Sequence, residues 1–179
     1  FGSRRLLDFV WIALAALGIG SGMEVIVPAY TFLATATAVL AVNATPVFVD
    51  VLPATGNIDP AAVEAALSAR TAAIVPVHFA GQPADLDALA AIAARADVPL
   101  VEDAAQAHGA RWRDAPVGSI GSFGSFSFQA SKNMTAGEGG ALTSQDDELA
   151  ERAWSLHHCG RVRGLPWYQH EHNGGNHRM

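Results

Sequence analysis

At 179 residues, half of them apolar and only 16% charged, the chain is long enough for one sizeable domain with a well-buried core. Its net charge of −6 and its lack of any Lys/Arg cluster argue against nucleic acid or an anionic membrane as a partner, which leaves small molecules. One cysteine, Cys159, excludes an internal disulfide framework and fits a reducing cytoplasm.

Phe9 to Ala16 is an apolar run behind Arg4 and Arg5. It is too short to span a bilayer and reads as part of a buried helix over Leu6 to Leu17, stopped by Gly18, Gly20 and Gly22. These glycines follow a helix and open the strand Glu24 to Pro28. A dinucleotide-binding loop needs the reverse order, so that reading is set aside. A helix is expected over Tyr30 to Val42 and a strand over Pro46 to Val51. In N-I-D-P, Asp59 caps the next helix, with Pro60 at its first position, and that helix runs to about Ser68. Ala72 to His78 is a continuous apolar run of the kind buried on both faces of a parallel sheet. Asp85 to Ala96 is an amphipathic helix, and Val98 to Ala104 is another buried strand. Phe123 to Phe128 and Ala141 to Ser144 add strands, and Gln145 to His158 adds a helix with acidic residues in its first turn. Arg161 to Met179 is polar, rich in His and Gly, and without periodicity. The alternation predicts an α/β fold with a mostly parallel, helix-covered sheet.

Lys132 is the only lysine in the chain; the other ten basic residues are Arg. It lies in S-F-S-F-Q-A-S-K-N-M-T-A-G-E-G-G, just past a strand and beside Ser127 and Ser131. An amine held at a strand end with a packed stem loses solvation and becomes a nucleophile toward carbonyls. Standing alone, the same residue reads rather as a surface loop lysine before a Gly-rich turn, so the choice rests on its partners. In V-E-D-A-A-Q-A-H-G-A, Asp103 falls at the carboxyl end of a buried strand, where ligands meet parallel sheets. A carboxylate buried there requires a cation or hydrogen-bond donors. A helix cap or a core salt bridge would also account for it. Gln106 and His108 follow at spacings that turn one or both toward the same pocket, and His108 is read as structural.

D-A-A-Q-A-H-G, S-F-Q-A-S-K-N and G-E-G-G at this separation resemble the DegT/DnrJ/EryC1/StrS family of pyridoxal-phosphate-dependent sugar and cyclitol aminotransferases. E-V-I-V-P-A-Y-T-F, P-V-F-V-D-V, N-I-D-P, P-V-H-F-A-G-Q-P-A-D, C-G-R and N-H-R-M are similar to family segments too, in order from about Leu14 to Met179. The resemblance implies the fold type I, aspartate-aminotransferase-like architecture, with residues 1–179 as its cofactor-binding large domain. It implies pyridoxal 5'-phosphate as the cofactor, an amino-acid donor such as glutamate or glutamine, and a keto sugar or keto cyclitol as acceptor. By the same resemblance Lys132 holds the cofactor covalently and moves the proton, and Asp103 pairs with the pyridine nitrogen. Gln106 lies on the phenolic-oxygen side, Ser127 binds phosphate, and Phe32 stacks on the ring. Asn176 reaches the phosphate of a neighbouring subunit, which implies a homodimer with shared sites.

Two departures stand against this. Where relatives carry an N-G-T-like phosphate cup, this chain has Arg5, Leu6 and Leu7, and residues 1–10 fit the family poorly. The chain also lacks an initiator Met and stops at N-H-R-M, and is expected to be a piece of a longer protein without the small C-terminal domain. The alternative is therefore an impaired or non-catalytic family fragment. A dehydratase reading is disfavoured because such relatives replace the lysine, usually by His.

Overall fold

The computed structural model describes residues 3–166 and 168–170, with the side chains of 3–8 outside the description. Five α-helices are present among them: α1 (Ser3–Ala16), α2 (Ala34–Ala41), α3 (Pro60–Ala66), α4 (Leu86–Ala96) and α5 (Asp147–His157). The strands are β1 (Glu24–Pro28), β2 (Thr45–Val49), β3 (Thr71–Ile74), β4 (Val101–Asp103), β5 (Arg111–Trp112), β6 (Ala115–Pro116), β7 (Phe123–Ser127) and β8 (Gly140–Thr143).

β2, β1 and β3 run parallel in that order, β4 pairs parallel with β7, and β8 closes the row antiparallel to β7. Parallel bridges Ile74–Leu100 and Val77–Asp103 join β3 to β4, so the six strands form one continuous surface. The join is thin for a covalent reason. Pro76 and Pro99 lack an N–H, so the ladder there survives only as single bonds such as Asp103 N–H to the Pro76 carbonyl (2.9 Å). The predicted strands Ala72–His78 and Val98–Ala104 are accordingly shorter in regular ladder than their apolar runs.

Side chains alternate across the sheet, and this alternation builds two cores. Val25, Val27, Ala73, Val75, Val101 and Phe123 pack beneath α1, α2 and α5. Ile26, Ile74 and Leu100 pack against α3 and α4. Each of the last three helices starts where an aspartate supplies an acceptor: Asp59 to Ala61 N–H (2.9 Å), Asp85 to Ala88 N–H (3.0 Å), and Asp146 to the amides of Glu148 and Leu149. The helix expected over Tyr30 to Val42 is helical only from Ala34. Tyr30 instead packs its ring on Phe79 at 5.3 Å, which holds residues 30–33 as a loop over the strand ends. The β5–β6 hairpin had no counterpart in the sequence reading. It turns through Arg113 at φ 51° without the Asn-Gly or Asp-Gly pair that marks such turns.

Candidate active site

β4 ends in two successive carboxylates, which the strand's period of two sends to opposite faces. Both are buried, and they are treated very differently.

Glu102 points toward α3 and α4 and is fully satisfied. One oxygen accepts from the Ile120 and Gly121 amides (2.8 and 2.7 Å), the other from the Gly118 amide (2.7 Å) and His78 Nε2 (3.0 Å). His78 is itself wholly buried, and its Nδ1 accepts from the Ala84 amide at 3.1 Å, so the ring hydrogen resides on Nε2 and is donated to Glu102. Burial by itself would raise the Glu102 carboxyl; the His78 bond and the three backbone amides together outweigh it and hold the group below the usual carboxylate range.

Asp103 faces the α2 side with half that support. Its two oxygens receive one bond each, from Thr35 Oγ1 (2.8 Å) and the Ala105 amide (3.2 Å). Here burial prevails over the Thr35 and Ala105 bonds and over the more distant charge of Lys132, and the carboxyl is pushed up. An ionised carboxylate accommodates about four donors, so Asp103 retains capacity for a further one carrying positive charge.

The remaining residues collect at the carboxyl ends of β1, β3, β4 and β7. Ser125 lies in register with Asp103 on the neighbouring strand, and its hydroxyl is fully buried with no partner among the described residues. Ser127, two residues on and on the same face, accepts only a long bond (3.4 Å) from the Gln129 amide, which leaves its O–H to donate. Gln106 commits its carbonyl oxygen to the Ala80 amide at 2.8 Å, so the amide hydrogens are the end it presents to a ligand. Phe32, one helical turn ahead of Thr35, exposes half its surface. Lys132 sits on the loop after β7, just past the strand as the sequence predicted, and is half-buried. Its charge reaches Asp103.

Asp103, Gln106, Ser127, Phe32 and Lys132 therefore lie around one end of the sheet, while Asn176 lies outside the described residues. Sequence reasoning missed Thr35 and Ser125. A threonine on an otherwise apolar helix and a serine alternating with Phe123 and Ser127 were the available signals. The hollow of about 390 Å³ between α1, β8 and α5 contains none of these residues. The donor set fits pyridoxal phosphate: an under-satisfied buried carboxylate for a ring N–H, an oriented amide for an oxygen anion, free serine hydroxyls, an open aromatic face and a primary amine.

A parallel sheet edged by one antiparallel strand, with an aspartate at one strand end and a lysine beyond the next, is the arrangement of a fold type I, aspartate-aminotransferase-like transferase. The chain belongs to the DegT/DnrJ/EryC1/StrS aminotransferase family, whose model matches residues 9–179. It is 57% identical over 151 residues to the L-glutamine:2-deoxy-scyllo-inosose aminotransferase of Micromonospora echinospora, covering 84% of this chain and 36% of that protein. An aminotransferase structure from Psychrobacter cryohalolentis superposes with a TM-score of 0.92 at 42% identity, over 98% of this chain and 47% of that one. NtdA from Bacillus subtilis, solved with bound cofactor PMP, superposes with a TM-score of 0.88 at 33% identity, over 96% and 39% of the two chains. The chain thus spans less than half the length of these relatives.

Proposed function

We propose that the chain is the cofactor-binding large domain of a pyridoxal-phosphate-dependent aminotransferase that moves an amino group from glutamine or glutamate to a keto cyclitol or keto sugar. The observation that carries this reading is the contrast within β4: Glu102 has four donors and a structural task, whereas Asp103, buried as deeply, has two. Bound pyridoxal phosphate supplies an electron sink and a carrier for the amino group. Within the site, Asp103 holds a proton on the ring nitrogen, and Thr35 and the Ala105 amide hold Asp103. Gln106 and Ser127 orient the oxygen substituents, and Phe32 covers the ring. The Lys132 amine binds the cofactor and carries the proton to and from the substrate carbon. The cyclitol acceptor and glutamine donor are supported by the names of three similar relatives, each an L-glutamine aminotransferase named for scyllo-inosose or a deoxy or amino-dideoxy derivative of it.

Exposed Tyr30, Phe32 and Leu33 beside the site support pairing with a second copy, with Asn176 of each chain serving the other. A reducing, cytoplasmic setting accords with the single cysteine. The alternative, a domain that folds but binds cofactor poorly, draws support from Arg5 to Leu7 in place of the phosphate cup and from a family match that begins only at residue 9.

The test is a visible spectrum with added pyridoxal phosphate, followed by borohydride reduction and peptide mapping. The expected result is a coloured complex fixed at Lys132, absent from Lys132→Ala although that variant keeps its fold. No adduct in the wild-type chain would refute cofactor binding by this domain.

A further inference from the structure

The loop that carries Lys132 is closed on itself. Phe128 ties both ends together, its N–H bonding the Gly139 carbonyl and its own carbonyl accepting from Ala136 N–H and Thr135 Oγ1. Inside the loop, the Gln129 carbonyl accepts from Lys132 N–H (2.9 Å), and Gln129 Oε1 accepts from Ser131 N–H (2.8 Å). These bonds fix the shape of the loop and say nothing about where it sits relative to Asp103. Among the described hydrogen bonds, one joins residues 129–137 to a distant part of the chain: His108 Nδ1 with Asn133 Oδ1 at 3.2 Å.

His108 is five residues beyond Asp103, on the segment that also carries Gln106. Its ring is wedged against Phe126 and Phe128, with centroids 5.7 and 5.5 Å away. Both phenylalanines alternate with Ser125 and Ser127 along β7, and Phe126 packs against the α3–α4 core, so the ring lies behind the sheet and outside the ligand face. The Asn133 oxygen is an acceptor only, so Nδ1 carries the hydrogen. Among the described residues Nε2 is shielded and has no partner, which leaves Asn133 as the ring's single hydrogen-bond commitment there.

We propose that His108 is a positioning residue for Lys132: a ring anchored on Phe126 and Phe128 that fixes the lysine loop, through Asn133, to the strand end bearing Asp103. This rests on the proposed role of Lys132. The two halves of the site, Asp103 with Gln106 and Ser127 with Lys132, come from two strand ends and the loops that follow them, separated by more than twenty residues of chain. The His108–Asn133 bond sets the reach between them.

Three variants separate the ring from its hydrogen bond. His108→Phe keeps the packing and removes the donor. His108→Asn places an amide N–H where Nδ1–H was and removes the ring. Asn133→Ala changes only an exposed loop side chain, so it cannot be lost to misfolding. Two readings are taken: amide exchange at Ser131 and Lys132 without cofactor, and the rate at which the sole lysine is fixed by pyridoxal phosphate and borohydride.

His108→Phe and Asn133→Ala are each expected to speed exchange at these amides and slow Lys132 capture about fivefold, the worth of one ordinary hydrogen bond. The double variant should be no worse than either single one. His108→Asn should recover most of the loss. Additive losses, equal behaviour of the Phe and Asn variants, or unchanged exchange in Asn133→Ala would each overturn the proposal. Exchange needs no cofactor, so it judges the lock separately from a failure of the wild-type chain to capture pyridoxal phosphate, which would count against the proposed function instead.

Discussion

Replacing Glu102 by Gln exchanges one carboxylate oxygen for an NH₂ group. Whichever oxygen is replaced, the amide hydrogens confront two donors, either the Ile120 and Gly121 amides or the Gly118 amide and His78 Nε2–H. His78 cannot escape by moving its hydrogen to Nδ1, because Nδ1 already accepts from Ala84 N–H. Two bonds to a charged group are lost, at about 1.5–3 kcal/mol each. Relief from burying a charge returns part of this, which leaves a cost of about 3 kcal/mol. For a chain of this length that lowers the melting temperature by roughly 6–12 °C. The pH dependence has a definite sign. Because folding lowers the Glu102 pKa, its contribution is complete above the unfolded value near 4.5 and is lost as pH falls toward the folded one. Thermal unfolding followed by circular dichroism should therefore show a wide gap between wild type and variant at pH 7 that narrows below about pH 4.5. A variant melting within 2 °C of wild type at neutral pH, or a gap unchanged in acid, would refute the assignment of Glu102 as a satisfied structural anion.

Asp103→Asn should act in the opposite direction on the cofactor-free chain. Folding raises this pKa, so the stabilising contribution is present below the unfolded value and is lost as pH rises through the folded one; at neutral pH the buried carboxyl is a burden on folding. The variant is expected to melt a few degrees higher than wild type at pH 7, with the advantage vanishing in acid, while retaining pyridoxal phosphate less well in a dialysis assay. Gly124→Ala should destabilise by about 2 kcal/mol, because its Cβ would meet the backbone of Gly118 and the Thr143 hydroxyl; a denaturant midpoint unchanged from wild type would contradict this packing.

How much of this was legible beforehand follows from the range of each interaction. The helix starts at Asp59 and Asp85 were readable because an aspartate and the amides it caps are two or three residues apart. Asp103 and Lys132 were readable from local motifs and their position after apolar runs. Thr35 was not, since its bond to Asp103 spans 68 residues, and nothing local distinguishes it from the other threonines of that helix. The satisfaction of Glu102 was equally hidden, because its donors come from residues 78 and 118–121. The start of α2 was misjudged because Tyr30 finds Phe79, a contact no helical periodicity encodes.

The adjacent pair Glu102–Asp103 shows why sequence proximity alone cannot assign a role. Both residues are acidic, buried and on one strand, and a pattern-based reading would treat either as the ligand for a cofactor. The number of donors separates them: a carboxylate with four has its charge dispersed over the protein and nothing left to offer, whereas one with two is destabilised as an anion and has room for a cationic ligand. Raising Asp103 to four donors would, on this argument, stabilise the empty domain and abolish its purpose. The instability at Asp103 is thus the feature through which cofactor binding and folding are coupled, and the chain is expected to gain more stability from pyridoxal phosphate at pH 7 than its Asp103→Asn variant does.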